Sequence, residues 1–216
     1  KVSNMYGNLY LVSTPIGNLE DLTFRAVKVL SSVDIILAES VERTKKLLSY
    51  YDIDAKVISF NKDNEKRKIN NAVAYLKASK NIALVSDAGT PCVSDPGFSL
   101  LSNLDEEIKI IPIPGASSIT CALSVSKIPM NGFTFLGFLP KKENDRKNKL
   151  LQAYSVELPL CIFESKHRLL DLLEDICSIF GEDAMVGLFR EMTKIYETIT
   201  HKSVTEHIFD LKKNTP

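Results

Sequence analysis

Ile82-Ala83-Leu84-Val85-Ser86-Asp87-Ala88-Gly89-Thr90-Pro91-Cys92-Val93-Ser94-Asp95-Pro96-Gly97 is the stretch that decides the fold class. Its first four residues form a short apolar run that ends in turn chemistry, the pattern of a strand buried on both faces of a sheet. In the segment after that run, two glycines and two prolines fix the backbone, while Asp87, Thr90, Ser94 and Asp95 supply polar groups. A plain strand-to-helix connection takes about 2 to 6 residues, and this one is longer. Loops at the carboxyl ends of strands in open α/β sheets are where ligands bind. The simpler alternative is a tight turn whose Ser94 or Asp95 caps the next helix.

The same alternation extends in both directions along the chain. Strands are expected at Leu9 to Ser13, Asp34 to Ala38, Lys56 to Phe60, Ile82 to Ser86 and Ile108 to Ile113. Helices are expected from Leu22 to Val33, starting at Asp21 or Thr23, and at Thr44 to Tyr51, Lys66 to Ser79 and Phe98 to Leu104. Strands separated by helical patterns indicate βαβ units and a mainly parallel sheet. Pro112 to Gly115 interrupts the fifth strand, and a small-residue helix, Ala116 to Ser126, follows. This places a domain boundary there, with domains expected at 1–112 and 116–216. Beyond it, strands are expected at Phe133 to Phe138, Leu160 to Glu164, Ala184 to Arg190 and Tyr196 to Thr200. Helices are expected near Asn144 to Tyr154, His167 to Phe180 and Val204 to Lys213. The fold class is α/β, with two α/β domains, a mainly parallel first sheet and a mixed second one.

The chain has 216 residues, with 27 Lys plus Arg against 27 Asp plus Glu, and 44% of it is hydrophobic. Such a composition excludes disorder, and a chain of this length buries roughly 70% of its unfolded surface without needing disulfides or a metal. Cys92, Cys121, Cys161 and Cys177 lack C-x-x-C spacing and read as reduced core thiols. His167, His201 and His207 are too scattered for zinc, so no metal is expected. No apolar run reaches about 18 residues, and Lys1 to Leu11 lacks a signal pattern, so a cytoplasmic protein with no membrane association is expected. Neutrality argues against a uniformly cationic nucleic-acid binder and leaves room for a local basic patch.

Two further loops resemble the first in character. Ser13-Thr14-Pro15-Ile16-Gly17-Asn18-Leu19 follows the first strand, and Pro112-Ile113-Pro114-Gly115-Ala116-Ser117-Ser118 follows the fifth. In a parallel sheet all three loops emerge at one edge, which makes a binding cleft there the natural expectation. There is no G-x-G-x-x-G after the first strand, no P-loop and no G-x-S-x-G elbow, which disfavours common dinucleotide, nucleotide and acyl-hydrolase sites.

The segments Ser13 to Leu19, Val85 to Pro91, Asp95-Pro96-Gly97, Pro114-Gly115-Ala116 and Gly137-Phe138-Leu139-Pro140 together resemble the tetrapyrrole methylase superfamily. Within it they are most similar to the branch that methylates a ribose 2′-hydroxyl of cytidine in small-subunit ribosomal RNA. Phe163-Glu164-Ser165 with His167-Arg168, and Arg190-Glu191 with Thr193-Lys194 and Glu197-Thr198, carry the resemblance into the second half. It implies two domains with S-adenosylmethionine in the cleft between them, S-adenosylhomocysteine as product, a class III methyltransferase fold and a homodimer. It also implies cofactor contacts from Pro15, Asp87, Ala88, Gly89, Thr90, Pro91, Val93, Ser94, Ala116, Ser117, Ser118, Phe163 and Leu188. A sulfonium cofactor suits such a set, since it wants carboxylate or carbonyl groups near its cation and apolar or backbone contacts around the adenine.

Methyl transfer to a ribose hydroxyl needs an in-line approach and a group that accepts the hydroxyl proton or favours the alkoxide. Glu39, Glu65, Arg190, Glu191 and Lys194 are the candidates, although a salt bridge or a helix cap is the commoner role for each. Contacts to small-subunit ribosomal RNA, or to the assembled subunit, are expected from Arg43, Lys45, Lys46, Lys66, Arg67, Lys141, Lys142, Arg146 and Lys147, with a solvated helix face as the alternative. The chain departs from the branch in three places. It reads Ala38-Glu39-Ser40-Val41-Glu42 where Ala-Glu-Asp-Thr-Arg is usual, with the basic residue displaced to Arg43. It has Asn61 and Asp63 before Asn64-Glu65 where histidines are usual. It also lacks the Gly-x-x-Val-Leu-x-Val-x-Gly strand, so the second domain is expected to be without its last strand. A methyltransferase of a small tetrapyrrole-like acceptor, or a cofactor-binding homologue without catalysis, remains open as an alternative.

Overall fold

The computed structural model describes residues 6–129 and 131–213. The outer ends of the expected domains, and the first residues of the Lys1 to Leu11 stretch, lie outside the described residues. The chain divides into two compact units between Cys121 and Ala122.

In the first unit, β1 (Leu9–Val12), β2 (Ile35–Ala38), β3 (Val57–Ser59), β4 (Ile82–Val85) and β5 (Ile110–Ile113) form one sheet in the order β3-β2-β4-β1-β5, with every pair parallel. β2 and β4 are buried along their whole length, which explains their unbroken apolar sequence. Alternate residues feed opposite layers. Val12, Ile36, Ala38, Ala83 and Val85 pack under α1 (Phe24–Leu30) and α2 (Val41–Tyr50) through Ala26, Leu30, Leu47 and Leu48. Leu9, Ile35, Leu37, Ile82 and Leu84 pack under α3 (Glu65–Lys77) and α4 (Phe98–Leu101) through Ile69, Ala72, Leu76 and Leu100. Each fully buried Leu or Ile contributes about 1.5–3 kcal/mol relative to exposure. Local signals start the helices: Thr23 Oγ1 accepts from Ala26 N at 3.1 Å, and Ser40 Oγ accepts from Arg43 N at 3.3 Å.

Strand β4 inserts between β1 and β2, and the helix after β1 lies on one face of the sheet while the helix after β4 lies on the other. The carboxyl ends of these two neighbouring strands therefore bound a crevice at a topological switch point.

A short helix, α5 (Ser118–Ser124), spans the division. In the second unit, β6 (Thr134–Phe138) pairs in parallel with β7 (Leu160–Phe163), and β8 (Met185–Arg190) pairs antiparallel with β9 (Thr198–Ser203). Around them lie α6 (Glu143–Tyr154), α7 (Leu169–Phe180) and α8 (Val204–Lys213). Leu139, Leu150 and Leu172 form a small core with Leu136, Leu160, Ile162, Ile176 and Phe180 against it.

Several expectations shift in detail. The mixed character of the second half takes the form of two separate two-stranded pieces among the described residues. The last strand begins at Thr198, because 191–197 is occupied by a turn. α4 is a single helical turn that stops at Leu101. The four cysteines are free and half-buried, and Cys92 packs against the core layer under α3 and α4. Among the described residues no helix is long and apolar enough to cross a membrane, and no cluster of ligating side chains suits a metal ion.

Candidate functional site

The loops after β1, β4 and β5 interlock at the crevice. Thr14 and Gly89 exchange backbone hydrogen bonds, N to O, of 2.9 and 3.0 Å. Thr14 Oγ1 donates to the Ser86 carbonyl at 3.1 Å, and Ser86 Oγ donates to the Gly89 carbonyl at 3.2 Å. Ser13 N donates to the Ile113 carbonyl at 3.2 Å, and the Ser13 and Thr90 hydroxyls lie 3.0 Å apart. A Cβ placed on Gly89 would sit 3.5 Å from Ile16 Cγ2 and 3.6 Å from the Ala116 carbonyl oxygen, so all three loops meet at that glycine. Ser13, Thr14 and Ser86 are buried, and this mutual pairing satisfies them.

The 87–97 loop has an unusual backbone. Gly89, Cys92, Ser94 and Gly97 have φ of 79°, 68°, 64° and 127°. Two of these four are not glycine, at a cost of about 1–2 kcal/mol each. Strain of this kind persists where the surrounding structure over-determines the backbone.

Four carboxylates surround the loop. Asp87 Oδ1 accepts from Ser40 N at 2.9 Å, Asp87 Oδ2 pairs with Arg43 Nη1 at 3.1 Å, and Glu39 Oε2 lies 3.4 Å from Asp87 N. Glu65 accepts from Gly97 N and from Ser99 Oγ, both at 3.3 Å, and so braces the entry to α4. Neither Ser94 nor Asp95 caps that helix; its cap residue is Gly97. Burial, with the nearby Glu39 and Asp87 charges, pushes Asp95 up to about 6 against the pull of Ser86 and Lys62. Burial is the main cause of that rise, and the carboxylates of Asp87, Glu39 and Asp95 gathered at one loop are groups that a sulfonium cation would pair with, so this donor set fits S-adenosylmethionine. Pro15, Asp87 to Pro91 and Ala116 to Ser118 would line the cofactor, with Val93 and Ser94 exposed at the rim.

In the second unit, Phe163 ends β7 and Leu188 lies within β8. Arg190, Glu191 and Lys194 gather at the β8–β9 turn, where Glu191 Oε2 and Lys194 Nζ lie 3.1 Å apart. Thr193 N donates to Glu197 Oε2 at 2.6 Å, and Glu191 and Thr193 have φ of 51° and 66°. Among the described residues, four of the seven non-glycine positions with positive φ therefore fall in the two loops named as candidate sites.

The basic residues divide sharply. The expectation for Arg146 is corrected: it is 5% exposed and ion-paired with Asp175, itself 4% exposed, so it cannot reach a phosphate. Lys147 is drawn to Glu143 and Asp175, at 2.6 and 3.5 Å. Arg43 is engaged by Asp87, and Lys46 by Glu42 at 2.9 Å. Lys45, Lys66, Arg67, Lys141 and Lys142 are exposed. Sequence reasoning missed Ser13, Thr14 and Ser86 as site builders; their signal was three hydroxyl residues placed just after apolar strands. It also missed Ser40, whose amide and hydroxyl serve Asp87 and the helix cap together.

Among proteins of known type, Ribosomal RNA small subunit methyltransferase I of Haemophilus influenzae is 44% identical over 204 residues, covering 94% of this chain and 72% of the relative. The protein of the same name from Thermotoga maritima is 44% identical over 212 residues, covering 97% of this chain and 94% of its own. Among solved structures, cobalt precorrin-4 methyltransferase superposes with a TM-score of 0.72 at 16% identity, covering 99% and 92% of the two chains. The uroporphyrin-III C-methyltransferase of Thermus thermophilus, complexed with S-adenosyl homocysteine, gives 0.69 at 18% identity, covering 95% and 92%. At those identities the structural likeness speaks for the fold alone. The profile of the tetrapyrrole (corrin/porphyrin) methylases matches residues 8–207, and the chain belongs to that family.

Proposed function

We propose that this protein is an S-adenosylmethionine-dependent methyltransferase that acts on small-subunit ribosomal RNA, with the ribose 2′-hydroxyl of a cytidine as acceptor. The observation that carries the reading is 44% identity along nearly the whole chain to proteins named for that substrate. The tetrapyrrole enzymes share the fold at 16–20% identity, which favours RNA over a small acceptor. S-adenosylmethionine, when bound, supplies an electrophilic methyl group on a sulfonium.

The chain's own work is binding, alignment and proton handling. Asp87, Asp95 and Glu39 give the crevice its negative potential, and the Thr14–Gly89 pairing holds the loop in place before anything binds, which lowers the ordering cost. Arg190, Glu191 and Lys194 are the groups assigned to the acceptor: a carboxylate to take the hydroxyl proton and cations to favour the alkoxide. Glu65 is assigned to loop geometry. Lys45, Lys66, Arg67, Lys141 and Lys142 are assigned to phosphates. The protein is assigned to the cytoplasm as a homodimer.

The test is incubation with methyl-labelled S-adenosylmethionine and small subunits that lack the modification. Label in the RNA, resistant to alkaline cleavage 3′ to one cytidine, is the expected result. Label transferred to an added uroporphyrinogen and not to RNA would overturn the reading.

A further inference from the structure

The sheet pair of the second unit carries a built irregularity. Along β6 the register to β7 runs Thr134 to Leu160 and Phe135 to Cys161, then skips Leu136 and resumes at Gly137 to Ile162 and Phe138 to Phe163. Gly137 adopts φ of 61°, a left-handed conformation that glycine takes at little cost, and so makes the bulge. In a regular strand Phe135 and Phe138, three residues apart, would point to opposite faces. Here both rings meet Phe163, with centroids at 5.0 and 5.5 Å. Leu136 meanwhile packs into the core with Leu160 and Ile162. The bulge therefore moves Phe138 off the core face and onto the end of an aromatic row, where it is 60% exposed.

The segment after β6 is held in place. Arg168 Nη2 donates to the carbonyls of Leu139 and Pro140 at 2.9 and 3.3 Å, and Arg168 pairs with Glu164 at 2.9 Å. Lys141 and Lys142 come next, both exposed. A braced ring with a free face, set beside two cations on a fixed backbone, has the composition of a single-stranded nucleic-acid contact: base stacking beside phosphate.

From this geometry we propose that Phe138, Lys141 and Lys142 form a binding site for one unpaired nucleotide of the RNA substrate, with its base stacked on Phe138 and its flanking phosphates on the two lysines. The proposal rests on the RNA reading above. Its occupant is nucleic acid because two exposed lysines follow the ring three and four residues on, past the segment that Arg168 holds; a purely apolar partner would leave them unused.

Binding of the full chain to small subunits lacking the methyl group, measured by filter retention, tests it. Phe138→Ala is expected to weaken binding about tenfold, the scale of one lost base–aromatic stack, and Phe138→Tyr to stay within about twofold of the wild type. Lys141→Ala with Lys142→Ala is expected to weaken binding and to reduce the salt slope by about 2. Cofactor affinity by calorimetry, and mass by sedimentation, should be unchanged in all three. Wild-type binding by Phe138→Ala, alongside loss in the double lysine variant, would overturn the stacking site and leave the RNA reading intact. Loss of cofactor affinity or of self-association as the sole effect would assign the ring elsewhere and overturn the proposal. Absence of subunit binding by the wild type would overturn both.

Discussion

At the carboxyl ends of β1, β2 and β4 the contacts join residues that lie far apart in sequence: Thr14 to Gly89, Ser13 to Thr90, Ser40 to Asp87. At the β8–β9 turn and along α6 the exposed charges pair with near neighbours instead: Glu191 with Lys194, and Glu143 with Lys147. The first region is a backbone scaffold whose shape is set before any ligand arrives. The second is a surface of side chains with local partners, each worth at most a few tenths of a kcal/mol and free to be exchanged. A small cofactor buried on many sides requires the former, whereas a large polyanion with repeating phosphates can be met by the latter.

The sharpest exception to that contrast lies inside the second unit, and breaking it should give the largest change. Asp175→Ala leaves the Arg146 guanidinium buried without its partner and is expected to cost about 3 kcal/mol, read as a shift in the urea midpoint. Replacing both partners with apolar residues, Arg146→Met with Asp175→Leu, should recover most of that loss. A midpoint unchanged in Asp175→Ala would mean that Arg146 is solvated after all and available to RNA.

A smaller effect with a pH signature is expected in the first region. Asp95 binds its proton more tightly in the folded chain, up to about 6, than an ordinary aspartate does at 3.8. Between those values the folded state holds more protons than the unfolded one, so Asp95 makes stability fall as pH rises from about 4 to about 6. Asp95→Asn should remove this loss and be more stable than the wild type above pH 6, by about 1 kcal/mol after allowance for solvent screening. The two should converge near pH 4, and parallel stability curves across the whole range would contradict the carboxylate cluster. The same cluster predicts that cofactor affinity weakens below pH 6 in the wild type and less so in Asp95→Asn.

Arg43→Ala should change stability least, by under about 0.5 kcal/mol, because its side chain is 69% exposed. Its effect should emerge as a cofactor affinity lowered about fivefold, since Asp87 loses a charge-assisted partner. Unchanged cofactor affinity with weakened subunit binding would return Arg43 to the RNA surface.

Much of the scaffold was legible in the sequence because β2 and β4 are unbroken apolar runs and Thr23 is a strong helix start, whereas α2, expected from Thr44, begins at Val41 behind a Ser40 cap. The interlock was less so: nothing local in Thr14 announces a partner at Gly89, since that pairing exists only once β4 has inserted beside β1. Arg146 had a readable signal that charge counting overrode. It is spaced i, i+4 and i+7 with Leu150 and Ala153, the buried face of α6. For Phe138 the sequence offers base stacking, from the nearby basic cluster, beside ordinary core packing as the safer reading, and the choice turns on the bulge at Leu136, whose one marker is Gly137. Asp95 looked like a helix cap, and only the folded arrangement sets it among Glu39, Asp87 and Ser86.

The central claim, that the interlocked loops of the first unit hold the cofactor, is tested most directly by calorimetric titration of S-adenosylmethionine into the wild type and Gly89→Val. Gly89 has φ of 79° and abuts Ile16 and Ala116, so a β-branched side chain there must displace the point where the three loops meet. The expected result is measurable binding by the wild type and a loss of at least about a hundredfold in the variant, with subunit binding retained. Equal affinity in a folded Gly89→Val would contradict the account.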